Sequence, residues 1–207
     1  MSALARSARK SKRRFAGALE GFALLDAEIA LGSGDLSGLR SARVVRAFPG
    51  LLGDLERMSV AGALLRLCRE LVPEHVADPE LFDELLGMFE ALELPDVVPS
   101  SLYVAFAIRL LALTGLAPLL GACGACGKRP AAGRAAEFDA QRGCLVCQAC
   151  GGAGQKLRGV VRERLLLAMQ GDVVAVAQAG WQADEQQEAR RLLEHFTAHR
   201  LQRAPRA

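Results

Sequence analysis

Apolar residues recur at helical spacing through most of the chain after residue 50. This pattern predicts helices within residues 51–72, 78–94, 102–120, 159–170 and 183–202. Asp78 as a cap and Pro79 in the first turn mark the start of the second helix. The loops between the first three helices are short, which favours antiparallel neighbours.

Residues 1–50 have a different pattern, in which short apolar stretches are separated by turn residues. We predict strands over residues 23–31 and 39–45, with a glycine- and serine-rich turn between them and a boundary at Pro49. Two short strands are too few for a closed β domain. The pattern therefore predicts an α+β protein that is mostly α.

The apolar run at residues 102–120 is long enough to raise the question of a membrane span. Arg109 lies near its middle, where a charge would cost about 3 kcal/mol on insertion. Gly115 and Pro118 then end the helix. Because hydrophobic residues make up 51% of the chain and aromatic residues only 5%, aliphatic side chains must form the core. We interpret this run as the central helix of that core.

Positive charge is concentrated at the start of the chain. Residues 1–14 carry six of the 26 lysines and arginines and no acid, which leaves 20 cations against 23 acidic residues elsewhere. Such a run gives sequence-independent affinity for nucleic acid, and Phe15 and Phe22 are placed to stack on unpaired bases. A solvated basic tail explains the charge equally well. The predicted DNA-binding residues are Arg6, Arg9, Lys10, Lys12, Arg13 and Arg14.

Five of the six cysteines lie between residues 123 and 150. Paired C-x2-C turns supply two thiolates each, and zinc takes four in a tetrahedron at about 2.3 Å. Cys123 and Cys126 form one pair, and Cys147 pairs with either Cys144 or Cys150. We favour Cys150, because CGACG and CQACG both place a glycine directly after the second cysteine, where a tight turn aims N–H groups at sulfur. Cys144 is a spare thiol or an alternative ligand.

Four thiolates would close the coordination shell, so the predicted zinc is structural rather than catalytic. A redox pair would instead be expected within a thioredoxin-like βαβ pattern. Phe138 before Gly143 and Leu145 after it predict a small hairpin between the two cysteine pairs. Cys68 lies on an apolar helix face and should be buried. The sequence has no nucleotide-binding or nucleophile motif, so we predict no catalytic residues and a protein that is not an enzyme.

Two further polar groups have simpler interpretations. Lys128, Arg129 and Arg134 lie in the loop between the cysteine pairs and are interpreted as solvated charges. His195 and His199 have a metal-capable spacing, but no acidic partner or metal-binding motif accompanies them, so we interpret them as surface residues.

The order of these segments resembles the RecO family of DNA repair proteins along nearly the whole chain. In chain order the resemblance is carried by ARKSKRRF, GALEGF, DPELFDELLGMFEAL, RLLALTGLAP running into CGACG, GCLVCQACGG and EARRLLEHFTAHRL. It implies an N-terminal OB-fold followed by a helical domain with an embedded zinc ribbon. It also implies that the basic run contacts DNA and that the zinc ligands are Cys123, Cys126, Cys147 and Cys150. Cys144 stands where the family usually has glycine.

The resemblance further implies binding to single- and double-stranded DNA, annealing of complementary strands, and loading of RecA together with RecR and single-stranded-DNA-binding protein. Arg109 is a candidate contact for the acidic C-terminal tail of the latter, because a buried cation seeks a carboxylate. An ion pair with a carboxylate of a neighbouring helix is the other interpretation of this residue, and the one that we favour. These roles place the protein in the bacterial cytoplasm, at the nucleoid. The alternative function is a zinc-ribbon adaptor in transcription, which would not need helical segments on both sides of the ribbon.

The resemblance also sets the expected domains. The family has further residues before the basic run, which supply the first OB strands, whereas Met1 stands just upstream of that run here. We therefore expect either a fragment, or a start codon assigned too late, or an interrupted OB-fold. The expected domains are a partial OB-fold over residues 1–50 and a helical domain over residues 51–207, with the zinc ribbon at residues 121–152.

Overall fold

The computed structural model describes residues 2–5, 21–30, 36–73 and 76–203. The protein is α+β and mostly helical, which confirms the predicted fold class. The chain divides into two compact units. The first contains residues 1–61 and 73–93, and the second contains residues 62–72 and 94–207.

A three-stranded sheet forms the β part of the first unit. Its strands are β1 (Ser2–Leu4), β2 (Ala23–Ala30) and β3 (Leu36–Ala47), in the order β1-β3-β2. Strand β1 runs parallel to β3, and β2 runs antiparallel to it. The two predicted strands are confirmed, and β1 is an addition. Ala42 is the buried centre of this sheet, with Leu25, Leu39 and Val44 packed against it.

The first unit also contains the helices α1 (Pro49–Leu52) and α3 (Pro79–Glu93). Asp78 caps α3 as predicted, since its Oδ1 accepts a hydrogen bond from the Leu81 N–H at 3.0 Å. The ring of Phe89 stacks on Phe48 at 5.2 Å and contacts Phe22 at 6.0 Å. Phe22, considered above for base stacking, therefore packs against another ring.

The prediction of one continuous helix over residues 51–72 is wrong. The chain instead forms α1, breaks at Gly53 and Asp54, and then forms α2 (Leu55–Leu71). The break has a capping cause, because Asp54 Oδ1 accepts the backbone N–H groups of Glu56 at 2.9 Å and Arg57 at 3.1 Å. The hydrogen bond from the Arg57 N–H, the largest cause, lowers the pKa of the Asp54 carboxyl. The cap therefore favours the ionised side chain.

The second unit is built around the apolar helix α4 (Pro99–Leu113). Its side chains from Val104 to Ile108 are all buried, as predicted for a central helix. Three helices pack against it: α5 (Gly159–Met169), α6 (Val173–Gln178) and α7 (Ala183–Arg203). Helices α5 and α7 were predicted, whereas α6 was not. Within the described part of the chain, no helix has both the length and the apolar character needed to cross a bilayer.

A four-stranded sheet interrupts the helices of the second unit. It contains β4 (Leu119–Cys123), β5 (Ala136–Asp139), β6 (Cys144–Leu145) and β7 (Gln155–Leu157), in the order β4-β6-β5-β7. The predicted hairpin is confirmed, since β5 and β6 pair antiparallel with Phe138 opposite Leu145. We call residues 119–157 the ribbon. The buried Phe138 ring meets Phe196 of α7 edge-on at 6.1 Å, which fixes the ribbon to the helices.

Candidate metal centre

The first cysteine turn follows directly from strand β4, whose last residue is Cys123. The Cys123 N–H donates to the Lys128 carbonyl, and the Gly127 N–H donates to the Cys123 carbonyl, each at 2.9 Å. Gly127 has a φ of 72°, a left-handed conformation that favours glycine. The glycine after the second cysteine of this pair therefore closes the turn, as the sequence pattern suggested.

The second cysteine turn has the same design. Cys147 is followed by a 3₁₀ turn that ends at Cys150, and the Cys150 N–H donates to the Cys147 carbonyl at 2.9 Å. The Gly152 N–H donates to that same carbonyl at 3.1 Å. Gly151 is left-handed, with a φ of 80°. A β-branched or bulky residue would strain this position, which explains the choice of glycine after both pairs.

The two turns bring four sulfur atoms together. The Sγ atoms of the cysteines at positions 123, 126, 147 and 150 all lie within 4.8 Å of one another. The Sγ atoms of Cys126 and Cys147 are 3.7 Å apart. A tetrahedron with metal–sulfur bonds of about 2.3 Å has sulfur–sulfur edges of about 3.8 Å. The cluster can hold a metal ion, and both the donor set and this spacing fit zinc.

The electrostatics of the cluster also fit a cation. Hydrogen bonds from the backbone N–H groups of Cys147, Cys126 and Ala125, in that order, lower the pKa of Cys123 to about 6. The first of these donors, the Cys147 backbone nitrogen, lies 3.4 Å from Cys123 Sγ. Conversely, hydrogen bonding to the crowded Cys147 and Cys126 sulfurs raises the pKa of Cys150 to about 12. The backbone thus favours one thiolate, while four together need a positive charge at their centre.

Cys144 lies outside the group of four. It is part of strand β6, opposite Leu119 in β4 and Asp139 in β5. Its sulfur packs against the first turn, because a Cβ added to Gly124 would lie only 2.5 Å from Cys144 Sγ. The residue therefore contributes to ribbon packing beside the cluster.

The remaining predicted residues are spread over the chain. The predicted DNA-binding residues Arg6, Arg9, Lys10, Lys12, Arg13 and Arg14 lie outside the described residues. Arg109 is half-buried in α4 and donates a hydrogen bond from Nη1 to the Met169 carbonyl at 3.1 Å. Cys68 is buried as expected, and desolvation raises the pKa of its thiol to about 11. His195 is exposed and His199 half-buried on α7.

Comparisons with known proteins match the sequence over nearly its whole length. The family model described as "Recombination protein O C terminal" matches residues 52–207. A DNA repair protein RecO of Anaeromyxobacter dehalogenans strain 2CP-C is 41% identical over 207 residues, covering 98% of this chain and 81% of the relative. The DNA repair protein RecO of Anaeromyxobacter sp. strain K is 40% identical with the same coverage. That of Myxococcus xanthus strain DK1622 is 39% identical over 151 residues, covering 73% of this chain and 61% of the relative.

Proposed function

The chain belongs to the RecO family of DNA repair proteins, and on that basis we propose that it is a recombination mediator. In this proposal the protein binds single- and double-stranded DNA, anneals complementary single strands, and acts with RecR to load RecA. In this role it binds DNA strands and partner proteins and does not act as an enzyme. We place it in the cytoplasm, at the nucleoid. The observation that carries the proposal is the match to RecO relatives over 98% of the chain, which includes the basic run.

The cysteine cluster has a structural role in this proposal. Cys123, Cys126, Cys147 and Cys150 would hold one zinc ion through four thiolates, and such a shell leaves no open position for a substrate. The ion would join two turns separated by 20 residues of sequence and so fix the ribbon. The backbone N–H groups that face Cys123 Sγ would stabilise the thiolate form that binds zinc.

Annealing is the activity to measure first. Two complementary oligonucleotides, each coated with single-stranded-DNA-binding protein, are mixed with the chain, and duplex formation is followed by fluorescence transfer. We expect the chain to accelerate annealing and RecR to assist exchange for RecA. A chain that binds neither strand and leaves the annealing rate unchanged would contradict the proposed function.

The basic run gives this test a quantitative form. With six phosphates neutralised, log affinity against log salt should have a slope of about −4 on single strands and about −5 on duplex. Changing Arg13 and Arg14 together to alanine should make the slope shallower by about 1 to 2 units. Wild-type affinity and slope in this double variant would exclude the run as the DNA contact.

The partner contact is proposed at Arg109, on the central helix of the second unit. A peptide with the acidic C-terminal sequence of single-stranded-DNA-binding protein should bind with saturation in calorimetry at low salt. Arg109→Met should weaken this binding, because it removes the cation while retaining most of the side-chain volume. Equal affinity in the variant would show that the tail binds elsewhere, and no saturable binding to wild type would exclude this partner.

A further inference from the structure

A groove lies in the ribbon beside the second cysteine turn. Its volume is about 740 Å³, and it runs between the loop that follows the first cysteine turn and the strand segment at Leu145 and Val146. These two apolar residues are 2% and 3% exposed, so the floor offers little free apolar surface. The character of the groove is therefore set by the polar side chains along its walls.

Four of those side chains are cations. Lys128, Arg129 and Arg134 stand on the loop, and Lys156 stands on strand β7. All four are exposed, and within the described part of the chain none of them pairs with a carboxylate. Among the described lining residues the one acid is Glu137, whose Oε2 is buried. The groove is thus lined by four cations whose charges are available to a ligand, beside Cys123 and Cys147 of the cluster, which also line it.

The loop that carries three of these cations is held in place. The Gly133 N–H donates to Glu163 Oε1 of α5 at 2.8 Å, and Arg162 Nη2 donates to the Ala131 carbonyl at 3.4 Å. Gly159, the first residue of α5, is in such close contact that a Cβ there would overlap the Gly133 backbone. Because the loop backbone is anchored in the free protein, a ligand would bind the cations without first ordering their backbone.

These features indicate which anion the groove accepts. Peptide ligands are distinguished by pockets for their side chains, and the buried floor provides none. The lining includes no aromatic residue for base stacking. A volume of about 740 Å³ lies within the range of ligand pockets, about 300 to 1,000 Å³, so the groove can take a short stretch of one strand. Its four cations would then contact the phosphates of that strand.

We infer that the ribbon groove is a second DNA-contact surface, which binds the backbone of single-stranded DNA independently of sequence. The inference rests on the proposed function, because it gives the same activity an additional surface. It assigns Lys128, Arg129, Arg134 and Lys156 as phosphate contacts. Lys156 is far from the other three cations in sequence and joins them only because β7 pairs with β5. The sequence alone therefore shows the first three as charges of a solvated loop.

The test compares variants from the two walls of the groove with a matched control. The loop variant is Lys128→Ala/Arg129→Ala/Arg134→Ala, and the strand variant is Lys156→Ala. The control, Arg66→Ala/Arg69→Ala/Arg191→Ala, removes three exposed cations of the same unit that do not line the groove. Binding of the full chain to labelled oligothymidine is measured by fluorescence anisotropy over a salt series.

The expected effects follow from counterion release. Loss of three phosphate contacts should make the slope of log affinity against log salt shallower by about 2 units, and loss of Lys156 by about 0.7. A change of 2 units means that the advantage of wild type over the loop variant shrinks about 16-fold between about 50 and about 200 mM salt. The control should retain the wild-type slope.

Four outcomes would overturn the inference. These are wild-type slopes in both groove variants, an equal loss in the control, binding of an acidic peptide but not of DNA, and loss of zinc from the strand variant together with its affinity. The last would mean that the cations only offset the charge of the thiolates. If wild type itself fails to bind and anneal DNA, the proposed function fails as well. Unchanged groove variants of a DNA-binding wild type contradict this inference alone.

Discussion

Removing a sulfur from the cluster should release the metal, whereas removing the neighbouring Cys144 sulfur should not. Cys150 Sγ belongs to the group that lies within 4.8 Å, and Cys144 Sγ instead packs against Gly124. The matched variants are Cys150→Ser and Cys144→Ser. Both exchange one sulfur for oxygen, and the two sites are only six residues apart. Any difference in metal content therefore reports the position of the sulfur and not the chemistry of the substitution.

The size of the effect follows from the number of ligands. Structural zinc sites of four ligands bind with about 10 to 16 kcal/mol, or about 2.5 to 4 kcal/mol per ligand. Losing one ligand should therefore lower zinc affinity by about 100- to 1000-fold. Cys144→Ser retains all four sulfurs of the cluster and should keep the wild-type affinity.

Zinc is best measured by mass spectrometry after dialysis against a competing chelator. The zinc affinity of this chelator should lie between the affinity of wild type and that expected for Cys150→Ser. Wild type and Cys144→Ser should retain about one zinc per chain, and Cys150→Ser should lose most of it. Far-UV circular dichroism checks that the helices of the second unit remain folded. Zinc retained by Cys150→Ser but lost by Cys144→Ser would refute the ligand assignment, and equal retention would refute a site built from four sulfurs.

Four further substitutions test stability. Gly87→Ala should raise the free energy of unfolding by about 0.5 to 1 kcal/mol, because beyond its own helical turn no atom of the described residues lies within 4 Å of the added Cβ. Gly159→Ala should lower the free energy of unfolding by about 1 to 3 kcal/mol, because the added methyl would overlap the ribbon loop. Urea unfolding of the two glycine variants tests both predictions, and two shifts of the same sign would contradict them. Glu188→Gln should lower the free energy of unfolding by about 1 to 3 kcal/mol, seen as a lower Tm. The reason is that the Glu188 carboxylate accepts hydrogen bonds from the backbone N–H and the Nε–H of Arg158 at 2.6 Å each. Burial raises the pKa of Cys68 from 9.0 to about 11, so the stability that its neutral thiol contributes is fully present below pH 9 and is lost as pH rises to 11. Cys68→Ala should flatten this decline of the free energy of unfolding with pH. An unchanged decline in the variant would show that other groups cause it.

The helices that the sequence predicts best are those with local start signals. Helix α3 begins at Pro79 with Asp78 as its cap, as predicted. Helix α4 was predicted within residues 102–120 and instead begins at Pro99. The missed features have weaker or non-local causes. The break between α1 and α2 depends on one side chain, since Asp54 caps the second helix inside an apolar run that looks continuous. Helix α6 is six residues long and rich in valine, so its helical form comes from packing against α4.

The ribbon shows the same division between local and non-local information. The hairpin around Gly143 was predictable, because a glycine stands between two apolar segments. In the structure this glycine has a φ of 69°, the left-handed conformation that such a turn uses. Strands β4 and β7 were not, because β4 is held by parallel pairing with β6 and β7 by pairing with β5. Strand preference of such short segments depends mainly on their neighbours. For the same reason the sequence indicates the four clustered cysteines, which occur in two local turns, but not the groove, whose walls meet only in the folded sheet.

The sheet order also relates the cysteine cluster to the charge of the groove beside it. Cys123 ends β4 and Cys147 follows β6, and since these strands pair in parallel, both cysteine turns emerge on the same side of the ribbon. Four thiolates around a divalent ion would leave a charge of about −2 at this point. The four exposed cations of the groove, Lys156 among them, therefore lie beside the cluster on a loop and strand whose backbone is held in place, and a phosphate backbone would neutralise them.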